Sequence, residues 1–280
     1  IRAKRIIVVS VRSLSKFQSC KPSAHYQLPL VTGCPGHCQY CYLSTNLGKN
    51  PYIHIYANIE EIFKKAKEYI KERKPETTIF EGAATSLPVE KWSHSLATAI
   101  KFFADEKNAR FRFVTKFTEV DSLLKIKHKR QTEFRFSLNS NYAIKKFEPT
   151  TPKLEERLKA AAKVKKADYP MGFLIAPIFI YEGWKEEYKN LIIELEKHLK
   201  SSGKGLSFEL ITHRYTERAK KIIEKAYPDT ELPMNKDARQ FKYGQFGYGK
   251  YIYPKETMKE IEDYMRETIN KHLPDAKIKY

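Results

Sequence analysis

The sequence predicts an α/β protein assembled from parallel βαβ units, and three observations carry that prediction. Short apolar strand signals alternate with segments of helical period along most of the 280 residues. The run Gly172 to Ile178 is continuously apolar, as in a strand covered on both faces. Hydrophobic residues make up 41% of the chain, enough for a substantial core and too many for a disordered tail. Such units stay open or close into a barrel, and in both cases the loops after the strands are expected to carry the site.

Arg5-Ile6-Ile7-Val8-Val9 reads as a short buried strand, followed by a polar loop to Tyr26. Gln27 to Val31 is a second strand that runs straight into a cysteine-containing loop. Asn58 caps a helix, with Glu61 at the capping-box position and Ile62, Ala66, Tyr69 and Ile70 spaced for one face. Pro75 marks the break before a strand from Thr77 to Phe80. Trp92 to Phe103 is helical, Arg110 to Thr115 a strand, Val120 to Ile126 a short helix and Thr132 to Ser137 a strand. Thr151-Pro152 opens the next helix, with proline at the first helical position and Leu154, Leu158 and Ala161 on one face. A long helix from Gly183 to Leu199, packed by Trp184, precedes a strand from Leu206 to Ile211 and a helix from Thr216 to Ala226. Phe241 to Tyr253 is rich in glycine and tyrosine and reads as a hairpin, and Lys255 to His272 forms a closing helix. With no repeat, flexible linker or low-complexity tract, a single domain over 1–280 is expected. It has an N-terminal strand and loop at 1–26, a barrel core at 27–230, and the hairpin and closing helix at 240–280.

Lys and Arg number 52 against 33 Asp and Glu, a formal charge of +19. This surplus fits a polyanionic partner, since each phosphate contact releases condensed counterions. A lysine-rich, heat-adapted surface is the competing reading. No stretch approaches the roughly 18 apolar residues that span a bilayer, and the start is not a signal peptide, so no membrane association and a cytoplasmic location are expected. The chain starts at Ile1 rather than methionine, in keeping with removal of an N-terminal segment.

Four cysteines in 280 residues do not make a disulfide scaffold. Cys34, Cys38 and Cys41 fall within eight positions, in Thr32-Gly33-Cys34-Pro35-Gly36-His37-Cys38-Gln39-Tyr40-Cys41-Tyr42. Thiolates at i, i+4 and i+7 can wrap one side of a cubane iron–sulfur cluster and leave one iron without a protein ligand. Structural zinc needs four ligands, and no second pair is present; Cys20 or a histidine could supply only a single fourth. His37 is awkwardly placed to share an ion with its neighbour Cys38.

The C-x3-C-x2-C spacing after an early strand, with Tyr40 just before the third cysteine, resembles the radical S-adenosylmethionine superfamily. The resemblance implies a partial (β/α)6 TIM-like barrel with the hairpin and helix appended at its C-terminus. It also implies a [4Fe-4S] cluster on Cys34, Cys38 and Cys41, with S-adenosylmethionine bound at the fourth iron and reduced to methionine and a 5′-deoxyadenosyl radical. Phe80-Glu81-Gly82 is similar to the superfamily's glycine-rich segment, which would set Glu81 and Gly82 against the methionyl amine; an ordinary turn is the other reading. Lys116, Ser137 and Asn139 follow or end successive strands, where they could bind the cofactor's carboxylate and ribose or simply be solvated strand ends.

The resemblance narrows across Lys16 to Ser23, His25 to Cys34, Tyr42-Leu43, Leu47-Gly48-Lys49 and Pro51-Tyr52-Ile53, which are similar to the spore photoproduct lyase family. It continues through Phe111 to Lys116, Phe134 to Ser137, Glu209 to Ile211 and the hairpin, and so spans nearly the whole chain. It implies a lyase that repairs 5-thyminyl-5,6-dihydrothymine in ultraviolet-damaged DNA, the radical abstracting hydrogen from C6 of the lesion. A monomer and an external one-electron reductant such as flavodoxin or ferredoxin are implied as well. The lesion must leave the base stack to reach a barrel mouth. Tyr42, Ser86, Lys242, Tyr243, Gln245, Phe246 and Lys250 are the expected lesion contacts.

Two departures from the family pattern stand out. Ala84 occupies the place of a cysteine that returns hydrogen to the product, and a methyl group cannot replace an S–H. Either the residue was engineered out to trap substrate, or the chain is a natural branch that uses another thiol. Cys20, the only cysteine outside the cluster loop, is then the remaining candidate, with Tyr40 and Tyr42 as relays; an inert buried thiol is the plain reading. Gly244-Gln245-Phe246-Gly247 stands where the family carries Arg-Tyr, which shifts lesion binding toward Lys242, Tyr243 and Lys250. His213-Arg214-Tyr215 reads as a packing and capping cluster in preference to a phosphate contact. A radical enzyme with another nucleic acid or small substrate, and a non-catalytic zinc-containing nucleic-acid-binding module, are the alternatives.

Overall fold

The structure, a computed structural model, describes residues 2–48, 50–83, 86–244, 247 and 249–279. The chain falls into two compact units, Ile1–Pro35 with Asn50–Phe136 and Lys159–Gly172, and Gly36–Lys49 with Ser137–Leu158 and Phe173–Tyr280.

In the first unit, β1 (Ile7–Ser10), β2 (Ser19–Cys20), β3 (Ala24–Leu28), β4 (Val31–Thr32), β5 (Ile53–Tyr56), β6 (Thr78–Gly82) and β7 (Ala109–Thr115) precede β8 (Thr132–Leu138), whose last two residues fall in the second unit. β1 pairs in parallel with β5, which pairs antiparallel with β4. β3, β6, β7 and β8 run in parallel, and β2 folds antiparallel onto β3 through a register shift at Ser19 and Cys20. The second predicted strand is therefore two pieces, divided at Pro29-Leu30, where proline has no N–H for a ladder.

The predicted helix after Asn58 is α2 (Ile59–Glu72), burying Ile62, Phe63, Ala66, Tyr69 and Ile70. Asn58 stands at its N-cap, but the side chain makes no cap bond: it joins the backbone of Arg12 in both directions and donates to Glu61. The helix expected from Trp92 is broken into α3 (Glu90–Ser93) and α4 (Ser95–Ala104) by His94, whose φ of 49° is left-handed. Glu90 accepts from the amides of Leu96 and Ala97 and so serves the N-terminus of α4. Residues 120–126 form successive turns instead of the predicted short helix, with i→i+3 bonds such as Leu123 to Val120 and Ile126 to Leu123. Phe103 stacks on Phe111 at 5.2 Å, joining α4 to the sheet, and Phe80, Phe113 and Phe134 complete a fully buried aromatic core.

The second unit holds α1 (Tyr42–Asn46), α5 (Asn141–Phe147), α7 (Trp184–Leu199), α8 (Glu217–Ala226) and α9 (Lys255–His272). The helix α6 (Leu154–Lys166) starts two residues after Pro152 and contributes its first turn here. Most of β9 (Met171–Ile178), all of β10 (Leu206–Thr212) and the short β13 (Lys277–Ile278) belong to this unit, β13 parallel to β10. The hairpin is β11 (Gln240–Tyr243) against β12 (Gly249–Ile252). α5 was not foreseen; Ser140 caps it by accepting from Ala143. Trp184 is buried and meets Tyr264 of α9 edge-on at 5.3 Å, as its packing role required. No helix of the described residues is long and apolar enough to cross a membrane.

Candidate radical and DNA-repair site

β4 delivers the chain to the cysteine loop through Gly33, which has φ +94°. A Cβ there would lie 2.2 Å from the carbonyl oxygen of Tyr52, so only glycine fits. None of the four cysteines is in a disulfide; Cys38 is buried and Cys34, Cys41 and Cys20 are half-buried.

Within the second unit the loop backbone is gripped from two sides. On one, the amide of His37 donates to Thr150 Oγ1 at 3.1 Å and the amide of Gln39 to the carbonyl of Phe147 at 2.9 Å. The side chain of Gln39 donates to the carbonyl of Lys146. On the other, the Tyr227 hydroxyl donates to the carbonyl of His37 at 3.1 Å, and Thr230 donates to Gln39 Oε1. Tyr227 lies beside Cys38 and Cys41: burial, and then the charges of those two thiols, raise its phenol above the ordinary range.

Behind the loop sits a buried ion pair. Arg157 and Glu148, each fully buried, meet at 2.6 Å. Arg157 also donates to the carbonyls of Pro152 and Ser137 and to Thr151 Oγ1. Tyr40 donates to the other oxygen of Glu148. Burial first, then Glu148 and Cys38, hold this phenol well above its usual range, with Arg157 opposing. Tyr40 thus anchors the loop to a carboxylate, whereas Tyr42 opens α1 with 65% of its surface exposed.

The donor set fits an iron–sulfur cluster: three thiols on one short loop whose backbone is fixed independently of any metal. Among the described residues no three His, Cys, Asp or Glu side chains converge as the ligands of one metal ion.

In the first unit, Glu81 sits in a second buried charge cluster. Its Oε2 accepts from Arg112 Nε at 2.6 Å and Arg135 Nη1 at 3.0 Å. The registers Gln27 to Glu81 and Leu28 to Gly82 put this cluster beside β3, whose other edge carries Cys20 on β2. Burial and then Glu81 raise the Cys20 thiol, against Arg112, Arg135 and a hydrogen bond from Gln27. Gly82 packs under Phe111, whose ring atom Cζ would lie 2.9 Å from an added Cβ. Lys116 is half-buried just past β7.

Other expected contacts are occupied by the fold. Asn139 is fully buried; its amide donates to the carbonyl of Pro177 and accepts from Ser140 N and Tyr188 OH, leaving one N–H for any ribose. Ser86 is fully buried and donates to the carbonyl of Ala83. Ser137 is buried, and its carbonyl is taken by Arg157. Ala84, Gln245 and Phe246 lie outside the described residues. On the hairpin, Tyr243 is 73% exposed and meets Phe241 edge-on at 5.2 Å, while Lys242 lies opposite Lys250.

His213 and Tyr215 form the packing cluster expected of them. Arg239 donates to the carbonyl of His213 at 2.8 Å and lies 3.6 Å over the ring of Tyr253. Burial, then Arg239, lowers the His213 imidazole to about 3.

Sequence reading missed Glu148, Arg157, Tyr227, Thr230, Arg112 and Arg135 as parts of these assemblies. Arg157 did leave a signal, since it falls on the same helical stripe as Leu154, Leu158 and Ala161. Arg112 and Arg135 each stand between two phenylalanines in a parallel strand, a place that demands a buried carboxylate.

The family model described as spore photoproduct lyase matches residues 1–280. The spore photoproduct lyase of Clostridium acetobutylicum is 47% identical over 279 residues, covering 99% of this chain and 82% of that one. That of Bacillus subtilis is 47% identical over 281 residues with the same coverage. Among solved structures, a spore photoproduct lyase complexed with dinucleoside spore photoproduct superimposes with a TM-score of 0.95 at 48% identity, covering 99% of this chain and 83% of that one. A double mutant of the enzyme, cysteine to alanine and serine to cysteine, with bound AdoMet and dinucleoside spore photoproduct, gives the same TM-score, identity and coverage. The mixed α/β fold is the partial barrel that the sequence predicted.

Proposed function

The chain belongs to the spore photoproduct lyase family, and from that premise we propose that it is a DNA-repair lyase returning 5-thyminyl-5,6-dihydrothymine to two thymines. The observation that carries the reading is the cysteine loop, C-x3-C-x2-C on a backbone gripped from both sides. A [4Fe-4S] cluster on Cys34, Cys38 and Cys41 would supply the electron that cleaves S-adenosylmethionine and so provide the 5′-deoxyadenosyl radical. An external one-electron donor of the flavodoxin or ferredoxin type belongs to this reading, as do a monomeric chain and a cytoplasmic location.

The protein's own share is confinement and hydrogen return. A primary radical attacks any neighbouring C–H bond, so the lesion must be held against it. Tyr42 and Tyr243 are exposed aromatics able to support bases drawn from the stack. Cys20 is the hydrogen donor in this reading. Its S–H breaks as a C–H forms on the thymine radical, and a thiolate would have no hydrogen atom to give. The environment suits that task, because burial and Glu81 hold the sulfur in its thiol form. Tyr42 would then give its phenolic hydrogen to the thiyl and recover one from the 5′-deoxyadenosine formed earlier, which would carry the radical back to the cofactor side. Tyr40, committed to Glu148, serves the loop.

The experiment is anaerobic incubation with dithionite, S-adenosylmethionine and the dinucleotide lesion, following thymine and 5′-deoxyadenosine together. Formation of both is expected. Cleavage of the cofactor with no thymine would overturn the lesion assignment in favour of another substrate. Brown protein with about four irons per chain is expected, and colourless protein holding one zinc would end the radical account. Cys20→Ala should preserve 5′-deoxyadenosine formation and replace thymine by side products; unchanged thymine yield rejects Cys20 as donor.

A further inference from the structure

The hairpin has two chemically distinct faces. Register pairs Phe241 with Tyr251 and Lys242 with Lys250, so the rings lie on one side of the ladder and the ammonium groups on the other. On the ring side Tyr243, Phe241, Tyr251 and Tyr215 follow one another with centroids 5.2–5.3 Å apart. Tyr215 and Tyr251 form an antiparallel bridge, with backbone bonds of 3.1 and 2.7 Å. Arg214 and Lys250 each precede a member of that bridge, and alternation turns both to the side away from the rings. Three cations therefore share one face.

That arrangement is costly without an anion. Like charges directly opposite each other in an antiparallel ladder destabilise it. Among the described residues, no carboxylate forms an ion pair with Arg214, Lys242 or Lys250, although neighbouring Lys236 has Glu217 at 2.9 Å. Arg214 and Lys242 are exposed. The ammonium of Lys250 is lowered, first by burial and then by Arg214 and Lys242, so it senses the other two charges.

We propose that Arg214, Lys242 and Lys250 form a notch for the phosphodiester backbone of the DNA strand that carries the lesion, beyond the damaged bases themselves. The proposal rests on the DNA-repair reading above and adds to it a separation of labour: the exposed rings of Phe241 and Tyr243 for bases on one face, cations for phosphates on the other. Lysines on flexible stems and an exposed guanidinium suit a chain of phosphates, which needs charge at intervals more than a fixed geometry.

The test is salt-dependent binding of an undamaged duplex oligonucleotide, read by fluorescence anisotropy. The variant Arg214→Gln/Lys242→Gln/Lys250→Gln should flatten the slope of log K against log salt by about 2–3, since each phosphate contact contributes about 0.9. A variant of equal charge loss, Lys101→Gln/Lys125→Gln/Lys127→Gln, should keep the parental slope. The ratio of kcat/KM for a lesion-bearing oligonucleotide to that for the dinucleoside lesion should fall at least tenfold in the notch variant only. A parental slope in the notch variant, or equal flattening in both variants, overturns the notch. Failure of the parent to repair the dinucleoside would sink the repair reading while leaving the binding measurement to decide the notch.

Discussion

Replacing Arg157 by methionine tests whether the buried pair behind the cysteine loop holds that loop. Both partners are fully buried, and the guanidinium makes four hydrogen bonds, to Glu148, Thr151, Pro152 and Ser137. Removing it leaves the buried Glu148 carboxylate with the Tyr40 hydroxyl but without its guanidinium, and losing one member of a buried pair costs about 3–5 kcal/mol. At about 2–4 °C per kcal/mol for a chain of this size, Tm should fall by about 6–20 °C. Removing both charges with Glu148→Met/Arg157→Met should recover part of that loss, giving a coupling of about 2–3 kcal/mol in the double-mutant cycle. The carbonyls that receive the loop amides, Phe147 and Pro149, flank Glu148, so iron content after anaerobic reconstitution should drop with stability. The assay is calorimetry on the four proteins of the cycle together with iron analysis. A single-variant shift below about 2 °C, or strict additivity, refutes the argument.

Gly33→Ala should lose iron binding and destabilise the chain by more than the roughly 1–2 kcal/mol of left-handed backbone strain, because the methyl also meets Tyr52; chemical denaturation measures it. Tyr227→Phe removes one hydrogen bond to the loop and should cost about 0.5–1.5 kcal/mol while hastening iron loss to a chelator. His213 is neutral when folded, with its imidazole lowered to about 3, and titrates near 6.5 when unfolded. The unfolded state therefore binds the extra proton in acid, so stability is intact above pH 6.5 and is lost toward pH 3 at up to about 1.4 kcal/mol per pH unit from this residue. His213→Asn should remove that component of the pH slope, as followed by urea titration across the interval.

Local patterns were legible where one segment decides the outcome. α9 matches its predicted bounds, and the C-x3-C-x2-C loop announced its chemistry by spacing alone. Val120 to Ile126 carried apolar residues at helical intervals, yet buried Val120 and Leu123 are served by tight turns. His94 broke a helix through a left-handed φ that its sequence does not announce. Asn139 reads as a polar strand-end group and Ser86 as a lesion contact, but each donates to a backbone carbonyl that no local pattern identifies. The supports of the cysteine loop lay furthest from reach, since Tyr40 meets Glu148 across 108 positions.

The grip on that loop also has a calendar. Tyr227 and Thr230 lie 190 and 191 residues downstream of the loop groups they hold. At ribosomal speeds of about 5–20 residues per second, the nascent thiols emerge about 10–40 s before those two clasps have been synthesised. Oxidants and stray metals meet the sulfurs first, and a loop held on both sides has to await synthesis through Thr230.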